Sequence, residues 1–234
     1  MTDRVKPRRR YHSPRRLEQS AATRAAILEA AERLFEKRGF AATTMPAIAA
    51  EAGVALKTIY VGFATKSGLL HALWDLRLSG DEQPIRVVQR AWYVQLLKEP
   101  DPKHQLHGLA HQSRVVKARA GTVMEVIRNG AAADPSIAEL WQLIQKEFRD
   151  VIRPFARNLH AKGVLAEGLG VAGATDILWT LSHPDLWQLL VGQCGWSSAR
   201  YERWLTAAFC TQLLDPAASS RAGDGGSAAA SSRV

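Results

Sequence analysis

Apolar side chains recur at three- and four-residue intervals through almost the whole stretch from residue 21 to residue 215, and this spacing constrains the fold more than any other feature. It is typical of helices that bury one face and expose the other. No stretch alternates strictly between apolar and polar residues, and no Asn-Gly turn signals a hairpin. We therefore expect an all-α fold.

The first helix of this kind ends at Gly39, because glycine takes up the left-handed conformation that closes many helices. Thr43 and Thr44 are candidate N-caps for a second, short helix. The apolar stripe of the first helix consists of Ile27, Leu28, Ala31, Leu34 and Phe35. Longer helices are predicted at Ser67 to Leu78, Pro84 to Lys98, Lys103 to Arg119, Thr122 to Ala132, Pro135 to Ala161, Val171 to Val191 and Ser198 to Leu214.

Positive charge is concentrated at the N-terminal end of the chain. The 234 residues include 31 Lys and Arg against 22 Asp and Glu, and residues 1–66 alone carry 13 basic and 6 acidic side chains. Such a field attracts a polyanion such as DNA, RNA or an anionic membrane surface. A basic tail that serves only solubility would give similar totals, so a nucleic-acid partner requires a docking element as well.

Composition divides the chain into four parts. Residues 1–20 are rich in Arg, Pro and Ser and are predicted to be a flexible basic arm, and residues 216–234 are low-complexity sequence predicted to be disordered. Between them, residues 21–66 form a small basic domain. Residues 67–215 form a larger helical domain that contains all 7 tryptophans and can bury a core of its own.

The docking element is the stretch AAEAGVALKTIYVGF, residues 49–63. Two short helices that cross at a steep angle need a glycine in the turn, which Gly53 supplies, and a small residue where the backbones meet. Val54 can then fill the corner between the helices. The second helix keeps an outward face, and such a face within a basic region fits insertion into the DNA major groove. This face consists of Leu56, Lys57, Thr58 and Val61.

With these residues assembled, residues 23–73 resemble the N-terminal domain of the TetR (tetracycline-repressor-like) family of transcriptional regulators. The match comprises Arg38 to Phe40, Thr44, Ile48-Ala49, Ala52 to Val54, Thr58 to Tyr60, Phe63, Lys66 and Leu69-Leu70. The resemblance implies an N-terminal three-helix helix-turn-helix domain that binds double-stranded operator DNA. It also implies a C-terminal helical domain that binds a small-molecule effector and forms a homodimer through helices 171–191 and 198–214.

The resemblance also implies roles for individual residues. The positions of Thr44, Tyr60 and Lys66 are those that hold phosphates in such proteins. Base reading is then expected from Lys57 and Thr58, with Leu56 or Val61 against a thymine methyl group. The function expected is a ligand-responsive repressor that binds a palindromic operator in the cytoplasm.

Two positions depart from the family pattern. Ala55 stands where a Ser or Thr commonly caps the recognition helix, and Gly62 stands where a side chain able to reach a phosphate is common. Both changes are expected to weaken DNA binding more than the fold. Arg8, Arg9 and Arg10 can compensate by entering an adjacent minor groove, or they can remain in solvent.

The larger domain offers candidate ligand-pocket residues. Trp92, Trp141 and Trp179 each lie on an apolar helical face, where plain core packing is one interpretation and the lining of a pocket is the other. The polar residues that could help to define such a pocket are His111, Glu125, Arg128 and Asn129.

Three other features of the sequence bear on whether the chain is an enzyme, a metal-binding protein or a membrane protein. The sequence GLGVAG, residues 168–173, fits a dinucleotide-binding pattern, but helices are predicted on both sides of it where strands would be required. We therefore expect no enzyme activity and no cofactor, and the histidines at 104, 107 and 111 lack the acidic or thiolate partner of a metal site. The sequence also lacks an apolar run long enough to enter a membrane. The alternative function is a protein that binds nucleic acid or an anionic surface through its basic arm, without a ligand switch.

Overall fold

The structure is a computed structural model that describes residues 14–81, 83 and 85–216. Arg8, Arg9, Arg10 and the predicted C-terminal tail from residue 217 lie outside the described residues. The described part of the chain is helical, as predicted, and contains no strand beyond a single bridge between Leu165 and Leu214. No helix within these ranges is both long enough and apolar enough to cross a membrane.

Ten α-helices follow one another, with a 3-10 turn at Val87–Gln89 and a π-helical turn at Gln188–Gln193 among the described residues. The helices are α1 (Pro14–Ala42), α2 (Met45–Ala52), α3 (Leu56–Phe63), α4 (Lys66–Ser79), α5 (Ala91–Lys98), α6 (Pro102–Ala131), α7 (Pro135–Ala161), α8 (Val171–Leu181), α9 (Pro184–Trp187) and α10 (Ser198–Leu213).

The chain divides into two compact units between Leu73 and Trp74, a point that lies inside α4. In the N-terminal unit, α1 packs on α2 and α2 packs on α3. The buried residues that join these helices include Ile27, Leu28, Phe35, Ile48, Ile59, Leu69 and Leu70. This small core fixes α3 on the unit.

The N-terminal helix is longer than the sequence analysis predicts. It begins at Pro14, so residues 14–20 are helical and not part of a flexible arm. Proline suits the first turn of a helix, and the Arg, Leu, Glu and Gln residues that follow favour helix in water. Gly39 has φ 73° and ψ 174°, so the regular helix breaks at the predicted stop.

In the C-terminal unit, α6, α7, α8 and α10 pack around one apolar core. Helix α6 is continuous, although two helices were expected on either side of Gly121. Burial of Ala120, Val123 and Ile127 on the same helix outweighs the cost of about 1 kcal/mol for a glycine inside a helix.

Two other predicted helices are broken in the structure. Arg90 has φ −70° and ψ 143°, which separates the 3-10 turn from α5, and its guanidinium pairs with Asp81. The helix predicted from Val171 to Val191 ends at Leu181, because Pro184 starts a new helix with His183 as its N-cap. Proline has no N–H to continue the earlier helix.

Candidate nucleic-acid interface and ligand cavity

The turn between α2 and α3 is closed by backbone hydrogen bonds around Gly53. Gly53 has φ 65° and ψ 32°, in the left-handed region. Its N–H donates to the Ala50 carbonyl at 3.3 Å, and the Val54 N–H donates to the Ala49 carbonyl at 3.0 Å. This pair of bonds is the Schellman motif, which turns the chain sharply after a helix. The glycine therefore sets the angle at which α3 leaves α2.

Helix α3 has one buried face and one face open to solvent. Ile59 and Phe63 are buried, and Leu56 is half-buried. Tyr60 is 48 % exposed and Val61 is 79 % exposed. Lys57, Thr58 and Gly62 are exposed beside them. We call the residues Lys57, Thr58, Tyr60 and Val61 the α3 face; they present one cation, two hydroxyl groups and one branched apolar group.

The ends of α3 carry little side-chain capping. Ala55 occupies the N-cap position, and its side chain accepts no hydrogen bond. At the other end, Ala64 has φ 58° and ψ −53°, and the Thr65 N–H donates to the Phe63 carbonyl at 2.6 Å. This is the strained form of the three-residue γ-turn, which a residue with a Cβ rarely adopts.

The start of α2 places two threonines in different roles. Thr44 is the N-cap, and its Oγ1 accepts a hydrogen bond from the Ala47 N–H at 3.3 Å. Thr43 is buried, and its hydroxyl lies 2.8 Å from the Gly39 carbonyl oxygen and 3.1 Å from that of Leu34. Thr44 is exposed, so contact with a phosphate remains a prediction for this residue.

Lys66 does not lie as expected for a phosphate contact. Its Nζ donates to the carbonyl oxygens of Phe40 at 2.7 Å and Thr43 at 2.9 Å, and it lies 4.1 Å from the centre of the Phe40 ring. A cation at the end of a helix satisfies carbonyls that have no partner in the helix. We therefore correct the prediction: Lys66 ties the start of α4 to the chain after Gly39.

Arg24 is a basic residue near α3 that the sequence analysis did not select. Its guanidinium lies 4.7 Å from the centre of the Phe63 ring, at the C-terminal end of α3. The side chain is exposed, so stacking on an aromatic ring orients a cation that solvent can still reach. Arg24 joins Thr44 and Tyr60 as a candidate phosphate contact in the N-terminal unit.

A small cavity open to solvent, with a volume of about 20 Å³, lies in the C-terminal unit between α6 and the segment that starts at α9. Two of the predicted pocket residues, Glu125 and Arg128, line this cavity. Arg128 pairs with Asp185 across it at 2.5 Å. The other residues that line it are Lys117, Gly121, Met124, Pro184, Trp187 and Gln188.

The remaining predicted pocket residues do not line this cavity. Trp92 packs against the apolar core, and His111 pairs with Glu202 at 3.1 Å. Trp141 and Trp179 both meet the His183 ring edge-on, with ring centres 6.1 Å and 4.9 Å away. Asn129 is exposed and is not among the lining residues.

Lys117 is a buried charged residue of the cavity that the sequence analysis did not select. It is 5 % exposed, and burial lowers the pKa of its ammonium group to about 7. Its Nζ donates to the Ser113 hydroxyl and lies 5.8 Å from the centre of the Tyr201 ring. Burial also raises the pKa of the Tyr201 hydroxyl. A buried cation without a carboxylate beside it is unusual in a folded protein.

Residues 27–73 match the family model described as bacterial regulatory proteins, tetR family. Over 58 residues the chain is 52 % identical to the HTH-type transcriptional regulator TtgR of Pseudomonas putida, which is 25 % of this chain and 28 % of that protein. The chain thus spans little more than a quarter of the curated relatives it matches.

Two solved structures share the fold over most of the chain. The first is NalD, the secondary repressor of the MexAB-OprM multidrug efflux pump in Pseudomonas aeruginosa, with a TM-score of 0.66 and 20 % identity over 85 % of this chain and 99 % of that one. The second is SmeT in complex with triclosan, with a TM-score of 0.61 and 22 % identity over 83 % and 93 % of the two chains. The helix-turn-helix unit is followed in each case by a larger helical domain. The N-terminal region of the chain thus matches the tetR family of bacterial regulatory proteins, and the fold over most of the chain is that of these two structures.

Proposed function

We propose that the protein is a DNA-binding transcriptional regulator that reads a palindromic operator with the α3 face. The observation that carries this proposal is the exposure of Lys57, Thr58, Tyr60 and Val61 on a helix whose other face is buried. Lysine can donate to guanine, threonine to several bases, and the valine methyl groups fit the methyl of thymine. Thr44, Tyr60 and Arg24 would hold the phosphates on either side, with Arg8, Arg9 and Arg10 in a neighbouring minor groove.

We propose that two copies of the chain bind the operator together. A palindrome is read by a twofold dimer whose recognition helices meet major grooves about 34 Å apart. The dimer would form through residues 171–191, which span α8, α9 and part of the π-helical turn, and through residues 198–214; in the first of these stretches Leu189 is 46 % exposed. A twofold interface buries the same surface of both copies, so a large apolar side chain on this stretch would lose its exposure.

A small-molecule effector would release the protein from DNA, so that it acts as a repressor. NalD is named as a repressor, and SmeT was solved with triclosan. An effector can change DNA affinity only if it binds two arrangements of the dimer unequally. Such a regulator works in the cytoplasm, beside the chromosome, and needs neither a cofactor nor a catalytic centre. The domains are then those of the sequence analysis: residues 21–66 for DNA, and residues 67–215 for ligand and dimer contacts.

The proposal is tested by selecting duplexes from a random pool and measuring affinity for the selected site by fluorescence anisotropy. We expect a palindrome, with binding at least about a thousandfold tighter than to a scrambled duplex. The affinity should fall steeply as salt rises, because each phosphate contact releases counterions. Enrichment of no sequence at all would contradict the proposal.

A truncation separates this function from the alternative of a basic arm that binds nucleic acid or anionic surfaces by charge alone. Because α1 begins at Pro14, removal of residues 1–13 leaves the described helices intact. We expect the truncated protein to bind its selected site more weakly but with its sequence preference retained. Complete loss of binding would favour the alternative.

A further inference from the structure

A buried ammonium group without a counter-charge lines the small cavity beside α6. Lys117 is 5 % exposed, and its ammonium group donates to the neutral hydroxyl of Ser113. Within the described residues, no carboxylate forms an ion pair with it. Glu125 also lines the cavity, but it is exposed and lies eight residues further along α6, about 12 Å by the rise of a helix. Because a buried charge is costly without a partner, the site lacks one negative charge.

The groups that face Lys117 from other helices do not supply this charge. The ring of Tyr201 on α10 lies 5.8 Å from the Lys117 Nζ, and burial raises the pKa of its hydroxyl, so Tyr201 stays neutral. At the start of α9, Asp185 is already paired with Arg128. The imidazole of His183 carries no negative charge, and burial lowers its pKa. The missing anion therefore has to come from solution.

The volume of the cavity limits which anion can enter. At about 20 Å³ it has room for one particle of the size of a water molecule, which needs about 10–15 Å³. Pockets that take organic ligands are far larger, at about 300 Å³ and above. Carboxylates, phosphates and sulfates are therefore too large, whereas a monatomic anion such as chloride fits.

A second donor lies at the cavity, one helical turn from Lys117. Gly121 follows four residues along α6 on the same face, and a Cβ at this position would lie 3.8 Å from the Trp187 indole nitrogen. Lys117 and Trp187 both line the cavity. An ammonium group and an indole N–H are donors without an acceptor atom, so both are suited to an anion. A water molecule can accept from both donors, but it leaves the charge of the lysine unbalanced.

We propose that this cavity binds one chloride ion, held by the Lys117 ammonium group and the Trp187 indole N–H. The ion ties α6 to the segment that starts at α9, because its two donors lie on these two elements. The inference goes beyond the proposed function, since it concerns the stability of the C-terminal unit and does not depend on DNA binding.

The test is urea denaturation of the full-length chain at about pH 6, below the pKa of Lys117, while chloride replaces gluconate at constant ionic strength. Gluconate is too large for the cavity, and constant ionic strength keeps the screening of surface charges the same. An ion that binds only the folded protein raises the ratio of folded to unfolded protein, by about elevenfold when chloride is at ten times its dissociation constant. We therefore expect the midpoint in urea to rise with chloride concentration. No rise would overturn the proposal.

Three variants locate the ion. Lys117→Met removes the charge and should abolish the rise in midpoint. Trp187→Phe keeps a ring but removes the indole N–H, and the loss of one hydrogen bond to a charged group should weaken chloride binding by about tenfold or more. Lys146→Met makes the same chemical change as Lys117→Met at an exposed lysine of α7, outside the cavity, and should keep the full rise.

Each variant can contradict the proposal on its own. A Lys117→Met protein that keeps the rise would place the ion elsewhere. A Trp187→Phe protein with unchanged chloride affinity would show that the indole N–H does not hold the ion. A Lys146→Met protein that loses the rise would show that chloride acts through surface charge and not through the cavity.

Discussion

At the scale of single residues, Lys57 and Lys66 have the same side chain and different surroundings. Lys57 projects from the α3 face into solvent, whereas the Lys66 ammonium is held by the carbonyls of Phe40 and Thr43. Their positions in the sequence look alike, since each lies near the start of a helix, just after a turn, in a basic region. Only the packed chain shows which of the two projects into solvent.

The first prediction concerns these two lysines. Lys66→Met leaves carbonyl groups without a donor and should lower the free energy of unfolding by about 2 kcal/mol. Lys57→Met makes the same change on an exposed surface and should alter it by less than about 0.5 kcal/mol. Chemical denaturation of both variants measures the difference. Equal losses of stability would contradict the assignment of Lys66 to the fold.

Ala64 gives a second prediction. Its φ of 58° and ψ of −53° cost an alanine energy that a glycine does not lose. Ala64→Gly should raise the free energy of unfolding by about 1 kcal/mol, the relief of strain exceeding the extra entropy of glycine in the unfolded chain. A matched control is Ala41→Gly, at an exposed position that has no positive φ and should be destabilised. Thermal unfolding that shows Ala64→Gly to be the less stable protein would contradict the strained turn.

At the scale of helices, the sequence predicts those elements whose boundaries are set by local chemistry. Gly39, Gly53 and the N-cap Thr44 each act on their own few residues, and the structure places all three at helix ends. The boundaries inside the larger unit depend on distant contacts. Gly121 reads as a helix break until the packing of Ala120 and Val123 is known.

Some residues of the candidate sites can likewise be predicted from the local sequence, whereas others depend on distant contacts. The α3 face follows from the spacing of its neighbours, since Ile59 and Phe63 lie on the opposite side of one short helix. Lys117 lies on the apolar stripe of α6, three residues before Ala120 and seven before Met124, and this spacing was a signal for its burial. Which tryptophan faces the cavity depends on the direction that the chain takes after Pro184. The local sequence predicts that the helix breaks at this proline, but it does not predict the direction of the chain beyond it.

The third prediction tests the turn that orients α3. Gly53→Ala meets no atom within 4 Å, so its cost is that of a left-handed alanine, about 1 kcal/mol of stability. Gly62→Ala also meets no atom within 4 Å but lies inside α3, where alanine should stabilise by about 0.5–1 kcal/mol. Opposite signs in thermal unfolding are expected. If both substitutions stabilise, Gly53 does not hold the left-handed conformation.

The fourth prediction concerns the charge buried on α6. The pKa of Lys117 is about 7 in the folded protein and about 10.4 in an unfolded chain. Between these values the unfolded chain binds more protons than the folded protein, so this lysine makes the free energy of unfolding rise with pH. The rise ends when the lysine has lost its proton in both states. The sign follows from the lowered pKa. Below about pH 7 both states are charged, so the full cost of burying the ammonium group lowers the free energy of unfolding; above about pH 7 the folded protein releases the proton and this cost shrinks. Lys117→Met removes this penalty, so the stabilisation it gives should be largest at about pH 6 and smaller at about pH 9.

Denaturation of the unmodified protein and of Lys117→Met at about pH 6 and about pH 9 gives the difference between their free energies of unfolding at each pH. Groups that titrate alike in both proteins cancel in this difference. The shared titratable and charged groups around Lys117 are Glu125 and Arg128 on α6, His183 and Asp185 at the start of α9, and Tyr201 on α10. A gain that is the same at both pH values would show that Lys117 keeps its proton in the folded protein throughout this range.

At the scale of the whole molecule, the proposed function assigns DNA binding to the basic N-terminal unit and ligand binding to the C-terminal unit. Under the proposed function, charge would bring the protein to DNA at a distance, the α3 face would select a sequence, and a ligand in the C-terminal unit would change which arrangement of the dimer is populated. The match to the tetR family model lies in the first unit, at residues 27–73.

The most direct test of this account is a comparison of sequence selectivity between the unmodified protein and the double variant Lys57→Ala, Thr58→Ala, which changes the α3 face without touching Ile59 or Phe63. Anisotropy titrations on the selected and scrambled duplexes, with circular dichroism as a check of folding, give the ratio of the two affinities. We predict that the ratio falls at least about a hundredfold while binding to the scrambled duplex changes little. A folded double variant that keeps the full ratio would show that another surface reads the operator.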